Sequence, residues 1–139
     1  MNRSLLDTDI LSEILKGINP TVASNAAAYR QAFGRYTLSS VTVMEVISGL
    51  QRNQNRSRIQ KFLTDISGEE VLPFGQAEGR LAGEIDGGLE RVGRLIGRCD
   101  PMIAAIAITN GLELVTGNTA HYQRVQQLGY PLVLANWRT

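Results

Sequence analysis

Short apolar runs alternate with helix-patterned segments along this chain, and no two of the runs are joined by a hairpin turn. That order argues for a parallel sheet with helices on both faces. The strand candidates are Ser4–Leu6, Tyr36–Ser39, Glu70–Leu72 ahead of Pro73, Glu113–Thr116 and Leu132–Leu134. Between them, Thr8–Lys16 sets Ile10, Leu11, Ile14 and Leu15 on one helix face before Gly17. Thr21–Phe33 is alanine-rich and follows Pro20. Thr42–Gln51 carries Val43, Val46, Ile47 and Leu50 on one side, and Ser57–Ile66 continues after a polar break. Gln76–Arg91 contains Gly79, Gly83, Gly87 and Gly88, each costing about 0.5–1 kcal/mol in a helix relative to alanine, so it either depends on packing or breaks near Gly87. Pro101–Thr109 is an apolar helix stopped by Gly111, and Thr119–Gln127 is the last helix.

At 139 residues the chain suits one domain, residues 1–139, with a real core. Its 43% hydrophobic and 19% charged residues are ordinary for a soluble protein. No apolar run approaches a membrane span, and Asp7, Asp9 and Glu13 interrupt the N-terminal stretch where a signal peptide needs apolar residues. A cytoplasmic location and no membrane partner are expected. Cys99 is the single cysteine, so no internal disulfide forms, and its neighbour Asp100 disfavours a thiolate. The net charge of +1 neither demands nor excludes nucleic acid. Only Lys16 and Lys61 of the 14 basic residues are lysines; the rest are arginines, the better bidentate partners for phosphate.

In open parallel sheets, sites lie beyond the carboxyl ends of the strands. Asp7 and Asn118 follow strands, Glu45 comes shortly after the second strand, and Asp100 begins the apolar helix. Each also suits a helix cap. Asp7 would cap Thr8–Lys16, Thr42 and Glu45 match a capping box, Asp100 before Pro101 matches an N-cap, and Asn118 would cap Thr119–Gln127. Together they suggest more, because a doubly wound sheet brings these helix starts to one edge. Three clustered carboxylates repel unless one takes a proton or a cation sits between them. Oxygen ligands without histidine or cysteine suit Mg²⁺ or Mn²⁺, whose chemistry serves phosphodiester hydrolysis.

These residues also resemble a known family. LLDTDILSEIL is similar to the opening of PIN-domain nucleases, where a strand ends in Asp-Thr. SSVTVMEVISGL resembles their second motif, IGRCDPMIAAIA their third, LVTGNTAHYQRV their fourth, and LANW their common tail. The motifs run in order from Leu5 to Trp137, nearest to the ribonuclease toxins of the VapBC toxin–antitoxin type. The resemblance implies a three-layer α/β/α sandwich with a short parallel β-sheet. It implies a Mg²⁺- or Mn²⁺-dependent endoribonuclease working through metal-activated water. It also implies a homodimer and a cognate VapB-type antitoxin, through which alone operator DNA would be bound. Carried over by position, Asp7, Glu45 and Asp100 are the metal-site acids, and Asn118 joins them as a catalytic residue. Thr8, Asp9 and Thr116 support them.

At Asn118 many relatives carry aspartate. An asparagine carbonyl can ligate an ion but brings no charge, and Asp9 is the candidate to supply it. His121, the only histidine, stands before the aromatic Tyr122 and is either a phosphate contact or an exposed surface residue. Arg94 and Arg98 are the first candidates for RNA phosphates, with Arg3 and Arg35 behind them. Val46, Ile47, Leu50, Ile59 and Phe62 would line the groove that the family offers its antitoxin. The alternative is a catalytically weak module that binds RNA or a partner. A phosphotransfer receiver fits poorly, since no lysine follows Lys61.

Overall fold

A computed structural model describes residues Met1–Thr139. The elements are β1 (Ser4–Leu6), α1 (Thr8–Lys16), α2 (Pro20–Phe33), β2 (Thr37–Ser39), α3 (Ser40–Arg52) and α4 (Arg56–Asp65). They continue with β3 (Glu70–Leu72), α5 (Gln76–Arg91), α6 (Asp100–Thr109), β4 (Glu113–Val115), α7 (Thr119–Gln127) and β5 (Leu134–Ala135).

All strand pairs are parallel: β1 with β4, β4 with β5, and β2 with β3. β1 and β2 lie side by side, but no ladder joins them, so the sheet is two ladders rather than one. On β1 the Ser4 N–H is taken by the Tyr29 hydroxyl at 3.1 Å.

The strands separate two apolar layers. Leu5 and Leu114 face a core with Ile85, Leu89, Ile103, Ile106 and Tyr122. Their neighbours Leu6 and Val115 face the opposite core with Ile10, Leu11, Val22, Tyr29 and Trp137. Alternation along a strand sends successive residues to opposite faces, and both faces here are covered by helices. This is the α/β/α sandwich.

Helix α5 runs unbroken through its glycines. Ala82, Ile85 and Leu89 bury one side of it, and it packs closely on α6. At Gly88 an added Cβ would come within 3.2 Å of the Leu128 side chain, which would have to give by a few tenths of an ångström to admit it. The last strand lies later than Leu132–Leu134, because the β4 ladder bonds run to Val133 O and Ala135 O. No helix is long and apolar enough to cross a membrane.

Candidate active site

The C-terminal ends of β1 and β4 lie together, the Asp7 N–H bonding Val115 O at 2.9 Å. Asp7 ends β1 and caps α1. Its Oδ1 accepts the Thr8 N–H at 2.9 Å and its Oδ2 accepts the Thr116 hydroxyl at 2.8 Å. Only 6% of it is exposed. Burial, and then the neighbouring Asp9 charge, push its pKa up to about 7; bonds from Thr116 and Thr8 work against that rise, and Asp100 adds to it.

Glu45 sits on α3 and does not close a capping box. Ser39 Oγ takes the Thr42 N–H at 3.0 Å, and Glu45 Oε1 accepts the Thr8 hydroxyl at 2.7 Å. Thr8 and Thr42 hydroxyls also meet at 2.9 Å. Thr8 thus ties the first motif to the second.

Asp100 is not the cap of α6. Cys99 holds that position with a helical backbone, and no side chain caps the end. The Asp100 carboxylate is therefore free to face its neighbours. Burial raises its pKa, a contact with Tyr122 lowers it, and Glu45 raises it again. Its Oδ2 lies 3.8 Å from His121 Nδ1. Burial, followed by Glu45 and Asp100, also raises the Cys99 thiol, which stays protonated.

Thr116 is fully buried and joins two motifs, since its hydroxyl donates to Asp7 and accepts the Asn118 N–H at 2.9 Å. Asn118 takes the cap position of α7 without capping it by its side chain. Its Nδ2 lies instead 2.8 Å from His121 Nδ1. His121 is accordingly a neighbour of both Asn118 and Asp100 rather than a detached surface residue.

The structure thus groups Asp7, Glu45, Asp100, Thr8, Thr116, Asn118 and His121. No three histidine, cysteine, aspartate or glutamate side chains converge closely enough to enclose an ion as they stand. The donor set nonetheless suits a hard divalent cation. It is made of carboxylates with an amide beside them, no lysine or arginine pairs with Asp7, Glu45 or Asp100, and the one basic side chain near them is the His121 imidazole.

Asp9, expected to lend its charge to the site, lies close enough to Asp7 to raise its pKa and is also held by partners of its own. Its Oδ2 accepts the Gly117 N–H at 3.0 Å and pairs with Arg138 at 3.5 Å. Arg138 also holds Glu13, through Nε at 2.7 Å and Nη2 at 2.6 Å. Its guanidinium covers Gly117 so closely that a Cβ there would collide with it. Sequence reading missed Arg138, because nothing in a two-residue tail beyond Trp137 signals a pairing with residues 9 and 13. Arg138→Ala should lower stability by about 0.5–1 kcal/mol in urea unfolding at low salt, and by less in high salt, as partly exposed ion pairs do.

Arg94 and Arg98 are exposed, make no ion pair, and precede α6 directly. Arg3 and Arg35 are instead committed to Glu70, at 3.2 and 3.5 Å. The helical groove is lined by Leu15, Ile18, Val46, Leu50 and Phe62; Ile47 and Ile59 do not line it.

The PIN domain family profile matches residues 4–127. The tRNA(fMet)-specific endonuclease VapC of Shigella flexneri is 36% identical over 113 residues, covering 76% of this chain and 83% of that protein. Ribonuclease VapC2 of Haemophilus influenzae is 30% identical over 129 residues, covering 90% and 93%. The crystal structure of DNA-bound VapBC from Salmonella typhimurium matches with a TM-score of 0.80 at 27% identity, covering 99% of both chains. Four motifs in order, a two-faced parallel sheet and acids gathered at its carboxyl edge agree with these matches: the chain belongs to the PIN-domain family, within its VapC group.

Proposed function

We propose that this chain is the endoribonuclease toxin of a VapBC-type pair, hydrolysing RNA phosphodiester bonds with Mg²⁺ or Mn²⁺ held by Asp7, Glu45 and Asp100. The observation that carries this reading is the meeting of three acids with no lysine or arginine paired to any of them, Asp7 and Asp100 both held above their ordinary pKa. The repulsion within such a cluster is relieved either by a proton on one acid or by a cation among them, and the second is the reading proposed. When bound, the ion supplies Lewis-acid activation of water and neutralises phosphate charge.

The chain's own residues do the rest. Thr116 and Thr8 orient Asp7 and Glu45 by hydrogen bonds at 2.8 and 2.7 Å. The Asn118 carbonyl is a neutral oxygen donor beside them. Arg94 and Arg98, exposed and without an ion-pair partner, are our candidates for contacting the phosphates that flank the cleaved bond. The partner is a VapB-type antitoxin, and the groove of Leu15, Ile18, Val46, Leu50 and Phe62, with Lys16, Arg58 and Lys61 beside it, is its expected seat.

Metal-stripped protein incubated with single-stranded and structured RNA tests the reading. Cleavage should be absent in chelator and return with Mn²⁺ or Mg²⁺. Cleavage that persists in chelator would contradict it. RNA binding with no metal-dependent cleavage would identify a catalytically weak binding module instead.

A further inference from the structure

Tyr122 lies in the first turn of α7, four residues after Asn118, and none of its surface is exposed. Its ring packs in the core beside Leu5, Ile103, Leu114 and Val125. Phenylalanine would serve that packing as well, so the hydroxyl needs a separate reason. The other fully or nearly buried tyrosines satisfy theirs. Tyr29 Oη accepts the Ser4 N–H at 3.1 Å, and Tyr36 Oη donates to Ala26 O at 3.2 Å. Tyr122 Oη alone among them has no hydrogen-bond partner of good geometry. A buried hydroxyl left unmatched costs about 1–3 kcal/mol.

The unpartnered hydroxyl has Asp100 and Asp7 as its neighbouring carboxylates. Asp7 already accepts at both oxygens, from Thr8 and Thr116. Asp100 has only the 3.8 Å approach of His121, so it retains open acceptor sites. A phenol buried beside carboxylates stays protonated and can only donate to them.

We infer that Tyr122 is a positioning residue of the acid site: its buried hydroxyl, unpartnered in the metal-free chain, donates to Asp100, with Asp7 as the alternate acceptor, when the carboxylates gather on a shared divalent cation, and so fixes how they are presented to it. The inference rests on the metal-site reading above. It assigns the hydroxyl the role that hydrogen-bond partners behind metal ligands play elsewhere, whose loss typically weakens metal binding about 10–100-fold.

Tyr122→Phe tests it with two readouts besides cleavage: Mn²⁺ affinity of the full chain, by titration calorimetry or by the free-ion electron paramagnetic resonance signal, and melting temperature without metal. The expected result is Mn²⁺ binding weakened about 10-fold, with a metal-free melting temperature equal to or above that of the parent. Equal or tighter Mn²⁺ binding in the variant would overturn the inference while leaving the metal site intact. Weaker binding accompanied by a lower metal-free melting temperature would also overturn it, since the hydroxyl would then serve the fold. A parent chain that binds no Mn²⁺ would overturn the metal-site reading and this inference with it.

Discussion

Asp7→Asn is expected to lower RNA cleavage by about 1000-fold or more while making the metal-free protein more stable above pH 7. The loss follows from removing the most buried acid of the cation site, since a bound ion supplies several kcal/mol of transition-state stabilisation and each 1.4 kcal/mol is about tenfold in rate. The gain follows from burial. Asp7 has an ordinary pKa of 3.8 and a folded value of about 7. Between those values the folded chain keeps the proton that the unfolded chain has lost. Stability is therefore full below about pH 4, falls as pH rises toward 7, and levels off above it. The Asp7 contribution lost is on the order of 4 kcal/mol, and asparagine, which cannot ionise, should recover roughly 2 kcal/mol of it at pH 8. Urea unfolding of both proteins in chelator across pH 4–8 measures this. A variant no more stable than the parent at pH 8 would mean that Asp7 carries no burial strain. Mn²⁺ should reverse the parent's trend, because it binds the ionised form.

Ile103→Ala should be the most damaging of simple core substitutions for the site. Ile103 is fully buried one turn after Asp100, in the core that α6 shares with Leu5 and Leu114. Isoleucine-to-alanine changes in such positions cost about 2–5 kcal/mol, a large share of the roughly 5–15 kcal/mol that holds a domain folded. A fall in melting temperature of roughly 10 °C is expected by calorimetry. Thr109→Ala, exposed at the far end of the same helix, should change stability by less than about 0.5 kcal/mol. Comparable effects at both positions would mean that α6 is not anchored through its apolar face.

Much of the frame was legible because it is built from local signals. The double leucine of β1 and the run Met102–Ala107 leave little choice but strands and a helix buried in the middle. Crossover order then carries Asp7, Asp100 and Asn118 to one edge. Local chemistry misled where a tertiary partner outbid the nearest backbone group. Glu45 follows Thr42 at capping-box spacing, yet Ser39 caps the helix and Thr8, 37 residues away, takes the carboxylate. Asp100 precedes a proline as a cap would, yet the helix already includes it. Least legible were the pairing of Arg138 with Asp9 and Glu13 and the unmatched hydroxyl of Tyr122. Both depend on side-chain placement across distant segments, which no periodicity encodes.

Asp7, Glu45 and Asp100 are expected to share a divalent cation. Anomalous diffraction from a Mn²⁺-soaked crystal of the parent chain tests it most directly. One strong peak bounded by these three carboxylates is expected, with Asn118 near it. Mn²⁺ density that lies elsewhere, such as between Asp9 and Glu13, with none among the three acids, would contradict it.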